Sequence, residues 1–115
     1  MSFFSSGYTP PRLDGTWAGH HCRMDSGERD PLHLVLVFRD GLVTGSGNGP
    51  GGMVDVFGLY GAESNQCVLL LTSATGWATS LEGQVSAGGI SGSSSDERGT
   101  SGRFAIWPLP VGNPD

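Results

Sequence analysis

Residues 32–47, LHLVLVFRDGLVTGSG, constrain the fold of this chain more than any other stretch. Two β-type runs flank Asp40 and Gly41, and an Asp-Gly pair readily adopts the positive φ angles that a two-residue hairpin turn requires. Residues 32, 34, 36 and 38 alternate in direction with residues 33, 35, 37 and 39. Both sets are largely apolar, which indicates burial on both faces. The stretch predicts a β-hairpin, and the rest of the chain repeats its pattern.

The remaining chain divides into short apolar runs separated by turn residues, with 20 Gly and 7 Pro among 115 residues. This composition is typical of an all-β domain with many turns. No segment of useful length has helical periodicity. We expect eight strands, at residues 15–24, 32–39, 42–47, 53–61, 66–72, 77–85, 90–95 and 100–107.

Short connections join each expected strand to the next, which favours an all-β fold, an eight-stranded antiparallel up-and-down (meander) β-barrel without exposed sheet edges. A β-sandwich is the alternative and would need longer crossovers. Glycines inside the strands predict the kinks that a strongly curved barrel requires; they are Gly19, Gly45, Gly47, Gly58, Gly83, Gly92 and Gly102. We expect the barrel to span residues 15–110, with an N-terminal arm at 1–14 and a C-terminal tail at 111–115.

The charge distribution argues against several classes of partner. The chain has six basic residues, scattered along the sequence, and 11 acidic residues, which gives a net charge of −5. This balance predicts no binding to nucleic acid or to an anionic membrane surface. No apolar run is long enough for a spanning helix, and residues 1–12 do not resemble a signal peptide. Cys22 and Cys67 do not form a disulfide framework, so we expect a cytoplasmic protein with reduced thiols, a single bridge remaining open.

Several short motifs resemble the calycin-type barrels, most closely the avidin and streptavidin branch. Residues 15–17 match the opening Gly-x-Trp of that group, and residues 42–45, 56–60 and 79–85 are similar to its third, fourth and sixth strands. The resemblance implies that Trp17 plugs one end of the barrel, with Arg103 of the last strand over it. The tryptophans and the Asn-Ser-Tyr-Ser-Asp group of the biotin site have no counterpart here.

Residues 20–22, His-His-Cys, are the obvious candidate for a metal site, with His33 and either Asp25 or Glu28 nearby. Zinc requires three or four ligands that converge, whereas a strand directs His20 and Cys22 to one face and His21 to the other. We therefore expect two edge histidines and a small thiol rather than a metal, and no cofactor.

A cavity inside the barrel is the better candidate for a site. Trp17 and His21 share a strand face, as do Asp55 and Phe57, and Trp77 and Thr79. If these faces point inward, aromatic walls surround a few polar groups, as in small-molecule pockets. The predicted ligand-binding residues are Trp17, His21, Asp55, Phe57, Trp77, Thr79 and Phe104.

Asp55 is the candidate catalytic residue. It lies in mid-strand between Val54 and Val56, and a carboxylate in an apolar lumen suits a general acid or base. The alternative interpretation is that Asp55 faces solvent and keeps the strand soluble.

Apolar residues also occur on the faces opposite the expected interior. Val35, Val37, Val68 and Leu70 belong to this set, together with Val54 and Val56. A contiguous outer apolar patch on a soluble protein marks an interface. We expect self-association through strands two, four and five, as a homodimer first and a tetramer second.

Three functions remain open at this level. The first is a barrel that binds a small apolar or aromatic molecule in its lumen. The second is a cyclase or isomerase on the same scaffold, in which shape and one acid/base group act together. The third is a structural or interaction module whose barrel is filled by its own side chains. A likeness in fold does not separate them.

Overall fold

The computed structural model describes residues 13–49, 52–76 and 78–109, and in them the fold is all-β with no helix. The strands are β1 (Gly15–Arg23), β2 (Arg29–Arg39), β3 (Leu42–Gly49), β4 (Gly52–Gly61), β5 (Gln66–Ser73), β6 (Ala78–Ser86), β7 (Gly89–Asp96) and β8 (Ser101–Pro108). Each strand pairs antiparallel with the next, and β1 pairs with β8 to close the barrel. The predicted eight-stranded meander barrel is confirmed.

The hairpin predicted for residues 32–47 forms as expected. Asp40 has φ 53° and Gly41 has φ 81°, the two positive angles of a tight hairpin turn. Arg39 pairs with Leu42 across it. The β2 strand begins at Arg29, three residues earlier than predicted, and includes Pro31, which lies near its start opposite His20. A proline is tolerated in the first residues of a strand.

The arm and tail predicted at the two ends fall mostly outside the described residues, which exclude 1–12 and 110–115. Leu13 and Asp14, at the end of the predicted arm, are bound to the barrel. The indole Nε1 of Trp17 donates to the carbonyl of Leu13 at 2.8 Å, and the amide of Phe38 donates to Oδ1 of Asp14 at 2.7 Å. No helix in the described residues is long and apolar enough to cross a membrane.

Alternate residues of every strand fill the interior with apolar side chains. On β2 these are Leu32, Leu34 and Leu36, each at most 2% exposed. Val54 and Val56 of β4 also lie inside, which corrects the expectation that they belong to the outer face. The other members of this core are Trp17, Val43, Cys67, Leu69, Leu71, Leu81, Ile90, Phe104 and Ile106.

The glycines predicted to kink the strands all lie at inward positions where neighbouring strands approach closely. A Cβ built on Gly19 would lie 1.9 Å from the carbonyl oxygen of Ala105, and one on Gly45 would lie 2.0 Å from that of Val35. Contacts this short exclude any side chain. These positions let the strands coil tightly around a narrow lumen.

One end of the barrel is closed by aromatic rings. Trp17 is 1% exposed, its ring centroid lies 6.2 Å from that of Phe38, and Phe38 meets Tyr60 edge-on at 5.6 Å. We call this the plugged end. Arg103 does not cover Trp17 as the resemblance implied: it is exposed and pairs with Cys22, whereas Trp17 pairs with Pro108.

The two cysteines are free and face opposite sides of the barrel wall. Cys22 is half-buried on β1, and Cys67 is buried on β5. Burial raises the pKa of the Cys67 thiol to about 11, because the apolar interior disfavours the thiolate. Cys67 is therefore a core residue and an unreactive thiol.

Candidate functional site

Polar side chains inside the barrel gather at the end opposite Trp17. This end, the mouth, is formed by the last residues of the odd-numbered strands and the first residues of the even-numbered strands. Four inward side chains there, His21, Asp30, Thr79 and Ser94, are defined as the mouth cluster. His21, Thr79 and Ser94 are the buried polar residues of the described chain, so the mouth is chemically unlike the rest of the interior.

A buried hydrogen bond joins β1 to β7. His21 Nε2 lies 2.7 Å from the hydroxyl of Ser94, 73 residues away in sequence. The two strands are separated by β8, where Gly102 pairs with both Arg23 and Ser94. A Cβ on Gly102 would lie 2.7 Å from Ser94 Oγ and 3.0 Å from His21 Nε2. The missing side chain of Gly102 makes the contact possible.

The other imidazole nitrogen faces a carboxylate. His21 Nδ1 lies 3.7 Å from Asp30 Oδ2, and His21 pairs with Asp30 in the β1–β2 register. The Nε of Arg23 lies 3.5 Å from the same oxygen. At 3.7 Å the imidazole and the carboxylate interact electrostatically without a hydrogen bond. This arrangement favours the tautomer with the proton on Nδ1, leaving Nε2 to accept from Ser94.

Burial lowers the pKa of His21 below its usual 6.5, and the nearby Arg23 lowers it further, while Asp30 and Asp96 oppose the change. The side chain of His21 is only 11% exposed, so its charged form would lose most of its hydration. His21 is therefore neutral at neutral pH. It serves as a hydrogen-bonding group and a potential base.

The lowered pKa makes stability depend on pH. Below about pH 6.5 the unfolded chain takes up a proton at this residue that the folded barrel resists, so stability falls as the pH decreases towards the folded-state pKa, by at most about 1.4 kcal/mol per pH unit. Urea unfolding at pH 7.5 and 5.5 should show a larger loss for the wild type than for His21→Gln. His33→Gln, which alters an exposed side chain, should follow the wild type; equal losses in all three proteins would contradict the assignment.

Three buried polar atoms in the mouth cluster have no hydrogen-bond partner among the described residues. They are His21 Nδ1, Asp30 Oδ2 and Thr79 Oγ1. Thr79 is 2% exposed, and an unpaired buried hydroxyl costs roughly 1–3 kcal/mol. Buried polar groups in proteins are almost always paired with protein, water or ligand. These atoms are therefore the positions in the interior where a further hydrogen-bond partner would be most favourable.

The loops around the mouth carry more acid than base. Residues 23–30 and 96–98 together include five acidic residues and three arginines. Asp96 holds the β7–β8 turn, since its Oδ1 accepts from the amides of Arg98 and Thr100 at 2.9 and 2.8 Å, and these bonds lower its pKa. Beside it, Thr75, Gly76 and Glu97 help to line a shallow depression of about 230 Å³.

The structure brings together some of the predicted site residues and separates others. His21 and Thr79 lie in the mouth cluster, and Phe104 is buried beside them, opposite His21 in the β1–β8 register. Trp17 is also buried, but it is part of the plugged end. Trp77 lies outside the described residues.

Asp55 and Phe57 require a correction. Both were expected to line the lumen, but both are exposed on the outer face of β4, where Phe57 is 56% exposed. Asp55 pairs with Ser46 and Thr72 in the registers of the neighbouring strands. The two strand faces of β4 are equally apolar in sequence, and the structure turns Val54 and Val56 inward. An acid/base role for Asp55 inside the barrel therefore has no geometric support.

The histidines and Cys22 do not converge on a metal. His21 faces inward, whereas His33 is exposed on β2 and the ring of His20 meets Trp107 edge-on at 6.0 Å. Within the described ranges no group of three or more His, Cys, Asp or Glu side chains is placed to hold an ion.

Sequence reasoning missed Asp30 and Ser94. Asp30 precedes the strand predicted at 32–39, and Ser94 lies in the strand predicted at 90–95 without being among the predicted site residues. The alternation on β7 held a signal, because Ile90, Gly92 and Ser94 share one face and an apolar residue and a strand glycine both favour the inner side.

No protein-family model matches the chain, and no curated protein matches it either. The eight-stranded meander is consistent with a calycin-like barrel. Membership of the avidin branch stays a prediction.

Proposed function

We propose that this barrel binds a small polar molecule at its mouth, in contact with His21, Thr79 and Ser94. The observation that supports this most is the set of three buried polar atoms that lack a hydrogen-bond partner around one end of the interior. A ligand of the proposed kind would supply the missing hydrogen bonds and remove the cost of burying these atoms unpaired.

The interior below the mouth argues for a ligand at the rim rather than deep in the lumen. Leu34, Leu36 and Leu69 have no exposed surface at all, so the middle of the barrel is occupied by its own side chains. The small apolar or aromatic ligand that the sequence predicts in the lumen would have to displace them. A molecule with a compact polar head that reaches only Thr79 and Ser94 would leave these leucines in place.

Charge narrows the class of ligand. The mouth loops have an excess of two acidic groups, and Asp30 is held beside His21. An anion approaching this rim would be repelled. We therefore propose an uncharged or cationic molecule, such as an amide, a urea or an amine, that both donates and accepts hydrogen bonds.

The test combines native mass spectrometry of the purified protein with binding of a panel of small amides, ureas and amines, followed by NMR. Wild-type protein should carry a bound mass or shift resonances of the mouth cluster. Thr79→Val removes one unpaired hydroxyl at nearly constant volume and should weaken binding about tenfold or more. Because it also removes a buried unpaired group, it should raise the stability of the free protein by about 1 kcal/mol.

Ser93→Ala is the matched control, since Ser93 is exposed on the outer face of β7 next to Ser94. It should leave both binding and stability unchanged. A crystal structure in which ordered waters alone satisfy Thr79 and His21, with no response to any member of the panel, would refute the proposal.

A second candidate function, hydrolysis of a small ester, is favoured by the order of the groups. The hydroxyl of Ser94 donates to Nε2 of His21, and Asp30 faces Nδ1. A serine nucleophile, its general base and the carboxylate that orients the base are arranged in the same order in serine hydrolases. Ser94 is 4% exposed, so this function requires the mouth to open. Labelling of wild type but not of Ser94→Ala by a fluorophosphonate would support it, and absence of labelling would exclude it.

A further inference from the structure

The outer wall of the barrel has two unlike halves. On β2–β5, large apolar side chains point outward; apart from Met53 at 75%, each is between 39% and 58% exposed. We call this set the outer apolar face; it consists of Val35, Val37, Leu42, Phe57, Leu59, Val68 and Leu70. On β6–β8 the outward positions are mostly polar, with a run of serines at 91, 93, 95 and 101.

Strand register makes the outer apolar face continuous. Leu42 pairs with Leu59, and Leu59 pairs with Val68, which forms one row across β3, β4 and β5. A second row runs beside it. It joins Val37 to Thr44, Phe57 and Leu70. Between them the two rows contain no charged residue, and both are centred on β4.

This face is as large as the largest apolar patches that monomeric proteins expose, and such patches are often functional. Its seven side chains present on the order of 500 Å² of apolar surface, the upper end of the range for the largest patch of a monomeric protein. A stable interface takes about 800 Å² from each partner. A pair formed through the outer apolar face would therefore also have to bury the polar residues beside it, Ser46, Asp55 and Thr72.

We propose that the outer apolar face binds a second copy of this chain, as a two-fold symmetric pair in which the two β3–β5 walls pack together. A second copy suits the face because its centre is uncharged, so two chains of net charge −5 can meet there without opposing their acidic groups. In an isologous pair each apolar row is covered by the same surface of its partner.

The position of Asp55 selects the orientation of the pair. A two-fold axis parallel to β4 would place Asp55 against its own copy, two like charges in a desolvated contact. An axis across the strands instead places Phe57 against Leu59 of the second copy and turns each Asp55 towards the Gly61 end of the other β4. We infer the second arrangement, in which the β4 strands of the two copies run antiparallel.

This inference rests on the outer wall and is independent of the proposed ligand site. Light scattering after size-exclusion chromatography at micromolar concentration should give about 24 kDa for the wild type, twice the 11.9 kDa of the chain. Phe57→Lys places a charge at the centre of the face and should give the 11.9 kDa species.

Ser93→Lys introduces the same charge on the polar half of the wall and should leave the pair intact. Because Phe57 is already exposed, the lysine variant should keep the thermal unfolding and circular dichroism of a folded barrel. If it does not fold, Leu70→Ser provides a milder test at the edge of the same row. A wild type of 11.9 kDa, or a pair that folded Phe57→Lys leaves unchanged, would overturn the proposal.

Discussion

Replacing Gly19 by alanine is expected to destabilise the barrel by about 3 kcal/mol or more, a loss of roughly 10 °C in thermal midpoint. The added methyl group would lie 1.9 Å from the carbonyl oxygen of Ala105 and 2.7 Å from the Cα of Ile106. All of these atoms belong to the backbone of β8, so no side chain can rotate away. The β1–β8 pairing would have to separate.

Gly88→Ala is the control for this substitution. A Cβ at Gly88 meets nothing within 4 Å, and its φ lies outside the left-handed region. Urea or thermal unfolding should find Gly88→Ala within about 0.5 kcal/mol of the wild type. Equal stabilities for the Gly19 and Gly88 variants would show that β1 and β8 can accommodate a methyl group between them, which would contradict their close approach in the structure.

Trp17→Ala is expected to cost about 3–5 kcal/mol. The substitution empties the plugged end, removes the indole that packs on Phe38, and leaves the Leu13 carbonyl without its 2.8 Å hydrogen bond. Trp17→Phe should cost less, because most of the apolar volume remains and only the hydrogen bond and part of the ring are lost. Chemical unfolding of the three proteins measures both differences.

Trp107→Ala provides the comparison at a surface tryptophan. Trp107 is 41% exposed on β8, so its removal should cost less than about 1 kcal/mol beyond the loss of its contact with His20. A Trp17→Ala protein that is as stable as Trp107→Ala would mean that the plugged end does not contribute to the core.

The fold could be predicted from sequence because its information is local. Each connection from β1 to β8 is a hairpin, and turn residues such as Asp40-Gly41 can be recognised in the sequence because they favour the positive φ angles that the turn requires. On β2 the sequence predicted burial of both faces, which was wrong: Val35 and Val37 are 48% and 39% exposed, and only the face of Leu34 lies in the core. Only where polar and apolar residues alternate does the sequence of a strand identify its buried face.

The face of β4 could not be read in that way. Val54 and Val56 compete with Phe57 and Leu59, and hydrophobicity alone gives no preference between a core and an interface. The glycine within β4 would have shown which of its two faces points inward. Gly58 must face inward because a Cβ there would lie 2.1 Å from the carbonyl oxygen of Val68, and residues 54 and 56 share its side.

The mouth cluster was predicted only in part, because its contacts are not local. His21 was singled out for its residue type, but its partner Ser94 is 73 residues distant and lies across an intervening strand. Their meeting depends on the stagger of the strands around the barrel and on the small size of Gly102. Neither quantity can be obtained from the local pattern of β1 or β7.

The closure of the sheet has a kinetic consequence. Seven of the eight strand pairings join neighbours along the chain, but the pairing of Trp17 with Pro108 connects opposite ends of the described sequence. Until these strands meet, both retain unpaired edges able to recruit strands from other molecules. This last step brings together the most distant residues, so it should set the pace of folding and be the stage most exposed to aggregation.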